Sequence, residues 1–294
     1  MKRAIRIIGL CLCLVWMAPV AAARLTVYTV NYPLQYFAER IAGEHAEVVF
    51  PASADVDPAF WKPDAETIGA YQRADLILLN GASYAKWVGQ VSLPRRRLVD
   101  TSAAFDDRLI KTETGIAHSH GAGDEHAHAG TAFTTWLDPQ QAMLQAEAIT
   151  QALVKKQPQA QAEFEQNFAA LERDLRALDE QLKKTLSNAR GQVLMASHPV
   201  YQYLTRAYDL ELNSVLWEPD KFPSEAQWNE LGSLAEATSA KWMLWEGEPL
   251  AKSVARLKQM GIDSLVFDTC GNTPESGDYL SVMKSNLSEL KQAF

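Results

Sequence analysis

The chain has 294 residues, 47% of them hydrophobic and 22% charged, which is enough apolar material for two modest hydrophobic cores and, by default, two domains. Its 36 acidic and 28 basic side chains give a formal charge of −8, which argues against nucleic acid or an anionic membrane as partner and for a cation. Of its three cysteines two lie in the apolar N-terminal run, so a disulfide framework is excluded.

Lys2, Arg3 and Arg6 precede an apolar run over residues 7–20, and Ala21, Ala22 and Ala23 offer small residues for cleavage. Residues 1–23 are therefore predicted to be a secretory signal peptide, removed after about Ala23 on export. Losing its three cations takes the formal charge from −8 to −11. The apolar run is too short for a membrane span and no later stretch is long enough, so no direct membrane insertion is expected. Cys270 is then the single remaining cysteine, and stability must come from the core.

From Arg24 onward short apolar runs alternate with amphipathic ones. Residues 25–30, 46–50 and 74–81 are predicted as strands, and 34–42 and 63–73 as helices. The same grammar returns later, with strands predicted at 192–196, 210–217, 241–245 and 264–267. Alternating strands and helices imply parallel sheets covered by helices, whose ligands gather beyond the carboxyl ends of the strands.

Between these halves lie two unusual segments. Residues 118–128 hold His118, His120, His126 and His128, four of the six histidines, spaced in His-x-His pairs among small residues. Neutral imidazoles at that spacing suit zinc and its neighbours, so the run reads as a flexible metal-collecting loop, or otherwise as a linker with incidental histidines. Further on, Phe164, Phe168, Leu171, Leu175, Leu178, Leu182 and Leu186 recur at spacings of three and four. No Gly or Pro interrupts residues 159–188, which predicts one helix about 45 Å long, a stiff spine along both lobes or, failing that, a coiled-coil dimer helix.

The expected fold is α/β: two Rossmann-like lobes with parallel sheets joined by one long spine helix. The divisions are residues 24–137 for the first lobe with its histidine run, 138–189 for the helical segment and 190–294 for the second lobe.

Local motifs, in order along the chain, carry a family resemblance. The segment Asp57-Pro58-Ala59-Phe60-Trp61-Lys62-Pro63, the strand Ala74-Asp75-Leu76-Ile77 with Asn80-Gly81, and Trp136-Leu137-Asp138-Pro139 belong to the first half. Ser197-His198-Pro199-Val200-Tyr201 and Asp268-Thr269-Cys270-Gly271 belong to the second. Together they resemble the periplasmic solute-binding receptors of zinc and manganese ABC transporters. The resemblance implies a monomeric receptor that captures a divalent transition metal, zinc first and manganese or another as alternatives, and hands it to a membrane ABC permease.

That resemblance also implies a metal site of histidines and carboxylates drawn from both lobes, and the sequence departs from it. Ala59 stands where the first histidine is expected and Thr134 where the second is, leaving His198 and Asp268 as the metal ligands. Three replacements for the lost donors are open. Cys270 is one, although a small buried hydrophobe would serve at its position equally. The histidine run reaching into the site is another. The third is a cleft that takes an anion or a metal chelate, lined by Trp61 and Lys62 with Trp217 opposite, unless Lys62 faces solvent and both tryptophans pack the lobes. The remaining functional alternative is a non-catalytic paralogue without high-affinity ion binding, acting as metallochaperone, sensor or chelate receptor. His45 is predicted to be a surface residue. No His-Glu-x-x-His segment, nucleophile elbow or phosphate-cradling glycine loop occurs, so an enzyme is not expected.

Overall fold

A computed structural model describes residues 24–112, 117–119, 125–127 and 130–294, with 117–119 and 125–127 described by their backbone. The predicted signal peptide, His120 and His128 lie outside the described residues.

The first lobe runs β1 (Leu25–Thr29), α1 (Tyr32–Ala42), β2 (Ala46–Val49), α2 (Ala65–Arg73), β3 (Leu76–Leu79) and β4 (Leu98–Asp100). Its strands form one parallel sheet in the order β2-β1-β3-β4. Side chains start both helices: Asn31 accepts the Leu34 N–H at the head of α1, and Asp64 accepts the Thr67 N–H at the head of α2. Beyond β3 the chain turns at Gly81, whose φ is +74° and whose Cβ, if present, would lie 1.8 Å from Ser102 Oγ.

Two small antiparallel pairs follow. β5 (Lys111–Thr112) pairs with β8 (Gly130–Thr131), and β6 (Ala117–Ser119) pairs with β7 (Glu125–Ala127). The second pair sets His118 opposite His126 in register, so part of the expected loop is a two-stranded ribbon.

Next come α3 (Pro139–Lys156) and α4 (Gln161–Leu186), the spine. Its 26 residues extend about 39 Å, shorter than expected because 3-10 turns occupy Pro158–Ala160 and Ser187–Ala189. Phe164, Leu171, Leu175, Leu178, Leu182 and Leu186 are buried along one face, which packs against α1 and α3 of the first half.

The second lobe consists of β9 (Val193–Ala196), α5 (Gln202–Tyr208), β10 (Glu211–Ser214), α6 (Glu225–Thr238), β11 (Trp242–Trp245), α7 (Ala251–Gln259), β12 (Asp263–Val266) and α8 (Tyr279–Ala293). Its sheet is again parallel, in the order β10-β9-β11-β12. The spine also contacts α5 and α8, and so spans both lobes.

Instead of one core per lobe, a single large cluster runs from the first sheet across the spine to one face of the second sheet. A smaller cluster built on Met195, Trp217, Trp228, Met243 and Trp245 fills the other face. Polar contacts stitch the lobes together. Trp136 Nε1 donates to Thr269 O at 2.6 Å, Tyr279 OH to Trp136 O at 2.8 Å and Tyr203 OH to Ala132 O at 2.8 Å. Asn272 Nδ2 reaches both Ser53 O, at 2.8 Å, and Val56 O, at 2.7 Å. Among the described residues no helix is long and apolar enough to cross a membrane.

Candidate metal centre

Parallel strands leave their next residues together at one edge, and the second lobe uses that edge for its ionisable groups. His198 lies two residues beyond β9, Glu246 one beyond β11, and Asp268 two beyond β12. Glu218 follows β10 on a loop held beside the end of β9, where Val215 N donates to Ala196 O and Trp217 N to Ser197 O, each at 2.9 Å. Trp217 fixes that loop: it is 2% exposed, with its ring 4.6 Å from Trp228 and 6.1 Å from Trp245.

His198 is 2% exposed and bracketed by two carboxylates. Its Nδ1 is 2.9 Å from Glu246 Oε1 and its Nε2 is 3.7 Å from Glu218 Oε1. Both are ion-pair contacts between an imidazole nitrogen and a carboxylate, the one at Nδ1 being the shorter. Two donors about 2.0–2.1 Å from a tetrahedral ion stand about 3.3–3.4 Å apart, close to the Nε2–Glu218 gap. Donor atoms of His198, Glu218 and Glu246 all lie within 4.8 Å of one another. Such a set of one imidazole and two carboxylates suits zinc and other divalent transition metals. Burial lowers the His198 pKa, but contact with Glu218 and Glu246 outweighs it, and without a metal the imidazole is pushed up to about 9.

Asp268 stands outside this trio but lines the same cleft. Burial raises its pKa, the hydrogen bond from Cys270 N at 2.7 Å opposes this, and the Glu246 charge adds to the rise.

A cleft of about 530 Å³ opens between the lobes, with His198, Glu246 and Asp268 on the second-lobe side. Facing them are Phe60, Tyr84, Phe133 and Trp136. A buried polar network fixes Phe133: Asn80 Nδ2 donates to Phe133 O at 2.9 Å, while Asn80 Oδ1 accepts from Asn31, Thr135 and Gln145.

Several expected site residues sit elsewhere. Thr134 does line the cleft, with its hydroxyl donating to Val200 O across the lobes. Ala59 does not line it. It is fully buried in the core, because Asp57 Oδ1 takes its N–H at 2.8 Å and folds residues 57–61 into a turn that aims Phe60 outward to the cleft. The same turn overturns the expectation that Trp61 and Lys62 line the cleft. Trp61 packs at 6.4 Å on Trp87, and Lys62 is exposed. Trp217 belongs to the second-lobe core. Cys270 is 2% exposed within the large core, is not among the cleft-lining residues, and burial and then the Asp268 charge raise its thiol pKa. His45, expected on the surface without a role, stands at 2.9 Å from Glu163 of the spine and packs edge-on to Phe164.

Sequence reasoning missed Glu218 and Glu246. In Trp217-Glu218-Pro219 and Trp245-Glu246-Gly247 an acid follows a tryptophan, but only Glu246 lies directly past its strand, and Glu218 is four residues beyond β10.

Two parallel-sheet lobes, one helix spanning both and a cleft walled by donors define a solute-binding architecture. The chain belongs to the family described as zinc-uptake complex component A, periplasmic, which it matches over residues 27–293. It is 27% identical over 283 residues to the zinc-binding lipoprotein AdcA of Streptococcus pneumoniae serotype 4, covering 92% of this chain and 56% of that protein. With the high-affinity zinc uptake system protein ZnuA of Bacillus subtilis it shares 27% identity over 287 residues, covering 92% and 88%. The chain thus spans about half the length of the AdcA relatives it matches. In fold it is similar to the metal-dependent lipoprotein YcdH of Bacillus subtilis, with TM-score 0.77 at 24% identity, covering 92% of this chain and all of that one. It is likewise similar to Zn(II)-bound AdcA of Streptococcus pneumoniae, with TM-score 0.78 at 24% identity, covering 92% and 57%.

Proposed function

We propose that this chain is exported, loses residues 1–23 and serves in the periplasm as a receptor that captures zinc and delivers it to an ABC permease. The trio His198, Glu218 and Glu246 carries this reading. His198 Nε2 and Glu218 are the direct donors. Glu246 stands beside Nδ1 at 2.9 Å, where its charge favours a proton on that nitrogen and leaves Nε2 for the ion, the part an outer carboxylate plays at metal-bound histidines. Asp268 adds a carboxylate from the same strand edge. The zinc-binding relatives support zinc as the ion. Because the lobes are stitched by side chain to main chain bonds and share one core, loading is read out by small shifts and loop ordering instead of wide hinge opening.

One observation favours a second reading, a paralogue without tight ion binding acting as metallochaperone, sensor or chelate receptor. Ala59 is buried away from the cleft and the Thr134 hydroxyl is engaged with Val200. Titrating the metal-free protein with zinc separates the two. A one-to-one event lost in His198→Ala supports the receptor; weak binding at several sites that survives His198→Ala supports the other.

A further inference from the structure

We propose, on the reading that the cleft is a metal receptor, that the cargo enters as a chelate: a divalent ion already carrying a small, flat, nitrogen-donor organic ligand. Volume is the first argument. At about 30 Å³ per water, 530 Å³ is many times the space a single ion and its remaining waters occupy.

The second argument is the distribution of donors. Zinc takes about four ligands, and the second-lobe edge offers His198 with its neighbouring carboxylates. Across the cleft the first lobe presents no imidazole or thiol among the described residues, and its Thr134 hydroxyl is spent on Val200 O. Its carboxylate, Asp57, is engaged by the Ala59 N–H, so coordination positions facing that wall are open to atoms the cargo brings.

Third is the chemistry of that wall. Phe60 and Phe133 are half-buried, stand edge to face at 6.4 Å and both reach the cleft, a surface suited to the face or edge of a planar ring. The wall is held in place, since Asn80 grips the Phe133 carbonyl and the Asp57 turn directs Phe60. Charge sets the last condition. Asp57, Glu246, Asp268 and Glu275 line the cleft, and among the described residues no lysine or arginine does, so the complex must keep positive charge. A neutral or zwitterionic ligand satisfies this and a strongly anionic chelator does not.

The test is calorimetry on the purified metal-free protein with five titrants: zinc alone, zinc with one equivalent of 2,2′-bipyridine, zinc with one equivalent of L-histidine, and each organic ligand alone. At least one preformed complex is expected to bind about ten-fold tighter than zinc alone, as a ternary complex that keeps its organic ligand through gel filtration. Phe133→Leu, which keeps apolar bulk but removes the ring, is expected to erase that advantage. If zinc alone binds tightly and both organic ligands only strip it from the protein, the chelate proposal is overturned while the receptor reading stands. If neither zinc nor either complex binds, the receptor reading fails and takes the proposal with it.

Discussion

Glu246 Oε1 holds the Nδ1 side of the His198 ring at 2.9 Å, and this pairing turns the other nitrogen toward Glu218. The ring is almost fully buried, so its orientation is set by these two acids. Replacing Glu246 by Ala should weaken zinc binding by about 10–100-fold, the usual effect of losing an outer partner of a metal-bound histidine. Glu246→Gln, whose amide oxygen keeps a place beside Nδ1 but loses the charge, should recover part of it. Competition against a chromophoric chelator measures both.

Zinc and a proton compete for His198 Nε2. With the imidazole pKa at about 9, zinc affinity should rise by about ten-fold per pH unit at most and level off near pH 9. Stability of the metal-free fold should move the other way. A pKa raised above the ordinary 6.5 contributes stability that is complete below pH 6.5 and lost as the pH climbs through about 9. Urea titrations at both ends of that window, with and without His198→Ala, check the sign, because the alanine variant should lack this decline.

Asn272 joins the lobes through Ser53 and Val56. Asn272→Ala removes two hydrogen bonds at a part-buried site and should cost about 1–3 kcal/mol in urea unfolding.

On the spine, Phe164 is fully buried and Arg173 is exposed. Phe164→Ala should destabilise by about 3–5 kcal/mol, whereas Arg173→Ala should change stability by less than about 0.5 kcal/mol. Thermal unfolding of the two variants side by side tests whether the spine face is the shared core of both lobes.

The large features of this fold were legible because they rest on periodicity. Strand-like runs such as residues 25–30 and the three-and-four spacing from Phe164 to Leu186 report burial directly, and both became the expected elements. β4 escaped notice because it is a three-residue strand that follows Arg95, Arg96 and Arg97 and carries little apolar signal. In the site, motif likeness points to His198 and Asp268, while Glu218 and Glu246 carry little signal until the sheet order sets the β10 and β11 ends beside β9. Trp61 and Lys62 were assigned to the cleft by adjacency to Ala59. One Asp57-capped turn redirects the chain there and puts Phe60 in their place, and no pattern of residue types announces which way a turn points.

Zinc-edge anomalous scattering from a crystal of the protein soaked in zinc tests the central claim most directly. The account predicts one strong peak on the second-lobe wall, about 2.0–2.2 Å from both His198 Nε2 and a Glu218 oxygen, with Glu246 still beside Nδ1. A zinc site elsewhere, or a cleft without zinc at saturating concentration, contradicts it.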